Sequence, residues 1–279
     1  MKKLMFAAAA IAAGVAVADV TSANVVGYAV KDDISLKMDA NKYAFTLMGL
    51  PFKSMKANGN WSLNDLAFSK LTGVNLKAGE SDQIWLWVDK GDGNYDYELW
   101  RYRNATYGWV SVSSSSTKFD TVHSDGLPAG TAFWFAAYNP DEAVTLNNSG
   151  EVGAADREVT LQRGKFQFVS YPFPTNLKLN DPNMMDSSNC VGVNLKAAES
   201  DQIWFWVQKE DGTWDYELWR YRNATYGWVS VASSSTKFES VHPNGVSVGA
   251  GFWYQSYDNG GSPTYTIKFK SPLAKPAAE

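Results

Sequence analysis

One stretch of this chain occurs twice. Gly73–Phe119 reads GVNLKAGESDQIWLWVDKGDGNYDYELWRYRNATYGWVSVSSSSTKF, and Gly192–Phe238 reads GVNLKAAESDQIWFWVQKEDGTWDYELWRYRNATYGWVSVASSSTKF. Roughly 40 of about 47 positions match at a constant offset of about 119 residues, which marks an internal repeat. Any fold must therefore place the same unit two times, and the offset matches the length of an ordinary domain.

The ends suggest where the repeat begins and stops. Met1-Lys2-Lys3, an apolar run from Leu4 to Val17 and Ala16-Val17-Ala18 have the order of a signal peptide: basic start, apolar centre, A-x-A cleavage site. The expected division is a signal peptide over 1–18, a first module over 19–153, a second over 154–270 and a mobile tail over 271–279. No later stretch has the length of an apolar membrane span. The chain is thus expected to be exported, whether secreted, periplasmic or held at the cell surface, with no integral membrane segment once the signal is removed. The formal charge of −4 becomes about −6 without Lys2 and Lys3, and no Lys/Arg cluster exists, which argues against nucleic acid as a partner. Cys190 is the single cysteine and aligns with Leu71 of the first copy, so a buried thiol is expected. Packing must then supply the stability, and 12 Trp, 14 Tyr and 14 Phe provide the area for it.

The pattern along each copy is one of strands. Tyr43–Leu50 ends at Pro51 and is matched by Phe166–Tyr171 before Pro172. Gln83–Asp89 and Tyr95–Arg103 flank Asp92-Gly93, which predicts a tight hairpin, and the second copy keeps Asp211-Gly212. Trp109–Ser113, Ala132–Tyr138 and Ala143–Val152 follow, with Gly251–Tyr257 and Thr264–Lys270 late in the second copy. Short strands are also expected at Asn24–Val30 and Ile34–Met38. Ser62 with Asp65 three residues on predicts a short capped helix ending before Gly73, and Pro182 suits a first helical turn in the second copy. The expected fold is all-β: two tandem β-sandwich-like or small-barrel modules, each with one short helix.

Several motifs carry a resemblance. Ala23–Tyr28 reads A-N-V-V-G-Y, Phe45–Pro51 is an apolar strand ending in Pro, Asp82–Trp87 reads D-x-I-W-x-W, and Gly130–Phe135 and Gly249–Tyr254 read G-x-x-F-W-x. In these the chain resembles a group of uncharacterised secreted bacterial proteins. The resemblance implies an extracellular β-sandwich and brings no activity or catalytic residue. The second copy lacks the A-N-V-V-G-Y opening, which assigns that motif to the chain start and not to the module.

The candidate site rests on hairpin register. A two-residue Asp92-Gly93 loop sets Gly91 opposite Asn94, Trp87 opposite Glu98, Trp85 opposite Trp100 and Gln83 opposite Tyr102. Trp85, Trp87, Trp100, Tyr102, Asp96 and Glu98 then share one face, repeated as Trp204, Trp206, Trp219, Tyr221, Asp215 and Glu217. Rings beside carboxylates suit a sugar, whose C–H faces stack and whose hydroxyls donate. The competing expectation is that this face is covered by another layer. Asp96 and Glu98 also form the kind of carboxylate pair a glycosidase needs, though strands carry many such pairs. His123 and His242 read as loop histidines, and no nucleophile elbow is present. The acidic hairpin flanks lack a calcium-loop frame, and no zinc spacing occurs. Asn104-Ala-Thr106 and Asn223-Ala-Thr225 are glycosylation sequons. The expected role is a non-enzymatic surface or extracellular interaction protein without cofactor or metal. A carbohydrate-binding protein is the alternative, a glycoside hydrolase a remoter one. Its partners would be a polysaccharide or another surface protein.

Overall fold

A computed structural model describes residues 25–34, 43–91, 93–138 and 144–273. The expected signal peptide, residues 35–38 of the strand expected near Ile34–Met38, Asp92 and residues 274–279 of the tail lie outside them. The first half holds β1 (Val25–Ile34), β2 (Tyr43–Gly49), β3 (Gln83–Asp89), β4 (Tyr95–Asn104), β5 (Gly108–Ser111), β6 (Ala132–Tyr138) and β7 (Val144–Val152). The second holds β8 (Arg157–Gln162), β9 (Phe166–Ser170), β10 (Met185–Asp186), β11 (Gln202–Gln208), β12 (Trp214–Asn223), β13 (Gly227–Ser230), β14 (Gly251–Gln255) and β15 (Thr264–Phe269). Two open five-stranded antiparallel sheets dominate, ordered β2-β6-β3-β4-β5 and β9-β14-β11-β12-β13. The fold is all-β, and neither sheet closes into a barrel.

The smaller sheets repeat as well. β1 pairs with β7, and β8 pairs with β15, each antiparallel. β1 therefore holds in the first half the place that β8 holds in the second. Of the opening motif, Val25–Tyr28 thus pairs with β7 at the place where the second half carries β8, and the two strands share no sequence: VVGYAVKDDI against REVTLQ.

The expected hairpin register is corrected by one residue. Trp87 pairs with Tyr97, Trp85 with Leu99, Ile84 with Trp100 and Gln83 with Arg101. The loop has three residues, because Lys90 N–H donates to Asn94 O at 2.9 Å and Lys209 N–H to Thr213 O at 2.7 Å. In the second copy Gly212 N–H returns to Lys209 O, closing a four-residue turn, and Gly212 itself sits at φ 82°. Gly93 sits equivalently at φ 76°. This is the three-residue hairpin that places glycine in the left-handed region, and a one-residue slip reverses every side chain.

The predicted face is thereby split. Trp85, Trp87 and Tyr97 lie on one side of the sheet. Ile84, Leu86, Asp96, Glu98, Trp100 and Tyr102 lie on the other. The second side faces a core inside its own module. Trp100 and Trp109 pack there with Phe133 and Phe135 under Phe52, Trp61, Leu63 and Phe119. The second module builds its equivalent core around Trp219, Trp228, Phe252 and Tyr254.

The first side buries the two modules against each other. Trp134 and Trp253 centre a shared cluster with Trp85, Trp87, Tyr97, Trp204, Trp206 and Tyr216. Trp87 meets Trp253 edge-on at 5.3 Å between ring centres, and Trp206 meets Trp134 edge-on at 5.6 Å. These contacts are repeat equivalents, so the halves pack about a pseudo-two-fold axis, as an isologous dimer would.

The helices correct a further expectation. Ser62 does cap a turn, with its hydroxyl accepting from Asn64 N–H and Asp65 returning to Ser62 N–H, but only a 3-10 turn over Leu63–Asp65 forms. No helix follows Pro182. The short α-helices are instead α1 (Phe119–Val122) and α2 (Phe238–Val241), each burying its phenylalanine. Among the described residues no helix is long and apolar enough to cross a membrane.

Candidate functional site

Each copy carries one histidine just beyond its repeated block. α1 and α2 are capped at their C-termini by His123 and His242. His123 Nε2 lies 2.5 Å from Glu98 Oε1, which also accepts from Trp100 Nε1 at 2.8 Å. His242 and Trp219 hold Glu217 in the same way, at 2.5 and 2.6 Å. The His123 ring stacks on Phe119, and the His242 ring meets Phe238 tilted by 34°. Both histidines lie in loops, directly after their helices, and each is bound to a glutamate. The signal that could have found the pair is its recurrence in both copies, always 25 residues apart. Burial pulls the Glu217 carboxyl upward, but its bonds from His242 and Trp219 outweigh that and hold it below the usual value. A glycosidase acid needs the opposite shift.

The histidines flank two equivalent clefts between the modules. One, of about 490 Å³, runs beside His123, with Leu86 and Trp87 on one wall and Val159 and Phe168 from the second module on the other. Its counterpart, of about 280 Å³, runs beside His242, with Phe205 and Trp206 facing Thr46 and Leu47 from the first module.

The predicted site residues are thus dispersed. Trp85, Trp87, Trp204 and Trp206 line the inter-module layer. Trp100 and Trp219 are each only 1 % exposed, Tyr221 is buried, and Tyr102 packs against the first module's core. These four form no open platform. Glu98 and Glu217 are bound to histidine and tryptophan. Asp96 and Asp215 are exposed and accept from the backbone N–H of Tyr97 and Tyr216. Thr46 carried no sequence signal, since it lies outside the repeated block and its counterpart is Gln167.

Buried arginines shape the outer surface. Arg101, 1 % exposed, donates to Val74 O, Asn75 O and Ser115 Oγ at 2.6, 3.0 and 2.8 Å. Arg220 repeats this on Val193, Asn194 and Ser234. The loops so clamped lift Leu76 and Leu195 into solvent, 89 % and 91 % exposed. Beside them the sequon residue Asn104 donates to Asn75 Oδ1 at 2.7 Å, and Arg103 lies over the half-exposed Tyr107 ring at 3.7 Å. Asn223, Asn194, Arg222 and Tyr226 repeat the arrangement. No group of three or more metal-ligating side chains occurs among the described residues.

Compared with known proteins, the chain matches no protein-family model, no curated protein sequence and no solved structure. Residue roles therefore rest on this geometry.

Proposed function

We propose that the chain is an exported, non-enzymatic interaction protein whose two modules, packed as one pseudo-symmetric body, present the same contact surface twice. The observation that carries this is the pair Leu76 and Leu195. A leucine left almost wholly in solvent does nothing for its own fold, yet both copies hold one out on an arginine-clamped loop. Around each lies the same Asn–Asn bond and the same Arg–Tyr stack. Two equal sites on one body favour an extended or repetitive partner, such as another surface protein in a lattice, because the second contact forms at high effective concentration.

Binding of the mature chain to isolated envelopes of the producing cell tests this, using Leu76→Asp, Leu195→Asp and the double variant. Both leucines are exposed, so the fold should persist. Each single variant is expected to retain weakened binding, and the double to lose roughly a hundredfold or more through lost avidity. Undiminished binding by a folded double variant overturns the reading.

A further inference from the structure

The two inter-module clefts are equivalent by repeat but not in hydrogen bonding. In the His123 cleft Trp87 Nε1 donates to Phe166 O at 2.7 Å. Beside it the Tyr95 hydroxyl lies near Gln167, whose Oε1 accepts from Gln162 N–H. In the His242 cleft the same three places are held by Trp206, Trp214 and Thr46. All three line it, and Trp206 Nε1, Trp214 Nε1 and Thr46 Oγ1 are buried with no partner in the chain. Thr46 is only 7 % exposed. Buried polar atoms in native proteins almost always have partners, so three orphans on one cleft, where Trp87 and Gln167 are satisfied in its twin, mark a place built for something else.

The chemistry of the three atoms limits what that is. An indole N–H only donates, and a threonine hydroxyl donates or accepts, so the ligand must bring acceptor oxygens. No lysine or arginine lines the cleft, and its histidine, His242, is already held by Glu217, which leaves a carboxylate or phosphate no counter-charge. The remaining wall is mostly aromatic and aliphatic, with Leu47, Phe205, Val207, Phe238 and Val246, and Gln208, His242 and Ser247 add polar groups to it. A volume of about 280 Å³ suits one small ring and not a polymer buried along its length. We propose that the Thr46–Trp206–Trp214 cleft binds one neutral saccharide unit of hexose size, with its hydroxyl and ring oxygens on the three donors and its C–H face on the apolar wall. This stands apart from the exposed leucine loops, and either can fail without the other.

The test is titration of the full mature chain, with its tryptophans labelled with nitrogen-15, by glucose, galactose, mannose, N-acetylglucosamine and their disaccharides at millimolar concentration. The Trp206 and Trp214 indole signals, assigned with Trp206→Phe and Trp214→Tyr, are expected to shift while that of Trp87 stays still. Trp214→Tyr installs the residue the first copy already carries, and Thr46→Val keeps the side chain's shape, so both should fold. Each is expected to weaken binding roughly threefold to tenfold, as the loss of one hydrogen bond does. No movement of either indole signal with any sugar, movement confined to other indoles, or full affinity in both folded variants would each overturn the proposal.

Discussion

Gly49 and Ser170 hold equivalent positions in the two copies and meet side by side where the modules join. Gly49 N–H donates to Gly249 O at 2.8 Å, and Ser170 N–H donates to Gly130 O at 2.9 Å, a reciprocal pair across the pseudo-two-fold axis. A Cβ on Gly49 would fall inside the van der Waals shell of Ser170 Cβ. One of the two places must therefore lack a side chain, and the repeat is asymmetric here by necessity. Gly49→Ala is expected to cost about 1–3 kcal/mol by overpacking. The exchange Gly49→Ser with Ser170→Gly should recover most of that, since Ser170 Oγ already reaches Thr131 O at 3.2 Å and the moved hydroxyl would lie near Ala250 O. Urea unfolding of the three proteins checks it; an exchange variant no better than Gly49→Ala would remove the axis from this position.

Trp87 and Trp206 are repeat equivalents with unequal bonds. Trp87→Phe strips the partner from Phe166 O, part-buried between the modules, and should cost about 1–3 kcal/mol. Trp206→Phe removes an N–H that has no protein partner, and should cost less in the ligand-free protein. Midpoints of chemical unfolding compare the two directly. Equal losses would mean that ring packing alone decides both positions.

The strands were legible because alternation and turn residues act locally. Ser62 and Asp65 gave a capping box, and Gly212 and Gly93 gave a hairpin. What local chemistry left open was whether two or three residues make the loop, and that single choice sends Trp85 and Trp87 to the opposite side from Trp100. Both faces of β3 are apolar, so burial could not correct the register. Covering by a sister module was within reach of the sequence as an expectation, but the axis itself was not. It needs Gly49 and Ser170, and the Trp134 and Trp253 that receive Trp206 and Trp87, and these four lie outside the repeated block. The His–Glu pairs were missed for a similar reason, since a contact over 25 residues leaves no periodic trace.

Arg101 and Arg220 are two placements of one clamp. Each donates to three oxygens from deep in the structure, and desolvation lowers the pKa of both guanidinium groups. Lysine cannot span two carbonyls and a hydroxyl at once. Arg101→Lys is expected to lose about 1–3 kcal/mol and to loosen the loop carrying Leu76, while the Leu195 loop is unaffected. Limited proteolysis reads this as faster cleavage near Lys77 with none added near Lys196. Cleavage rising equally at both lysines would show global destabilisation in place of a local clamp.

Asp82 links the fold to pH. Its carboxylate accepts from Thr72 N–H at 2.6 Å and Tyr138 N–H at 2.7 Å, tying the repeated block to the end of β6. Burial still pushes its carboxyl up to about 6, with those two bonds opposing the shift. Asp201 shifts the same way for the same cause. An unfolded aspartate titrates near 3.9. Between the two values the folded chain binds more protons than the unfolded one, so the stability from Asp82 is present below about 4 and is lost as pH rises through about 6. The loss is on the order of 3 kcal/mol at most. Asp82→Asn abolishes this titration and also turns an amide N–H toward a backbone donor, so it should be less stable at every pH yet flatter between about 4 and 6. Urea unfolding across that range measures the slopes. Parallel slopes for the two proteins would mean that Asp82 keeps an ordinary pKa and that its two backbone bonds outweigh its burial.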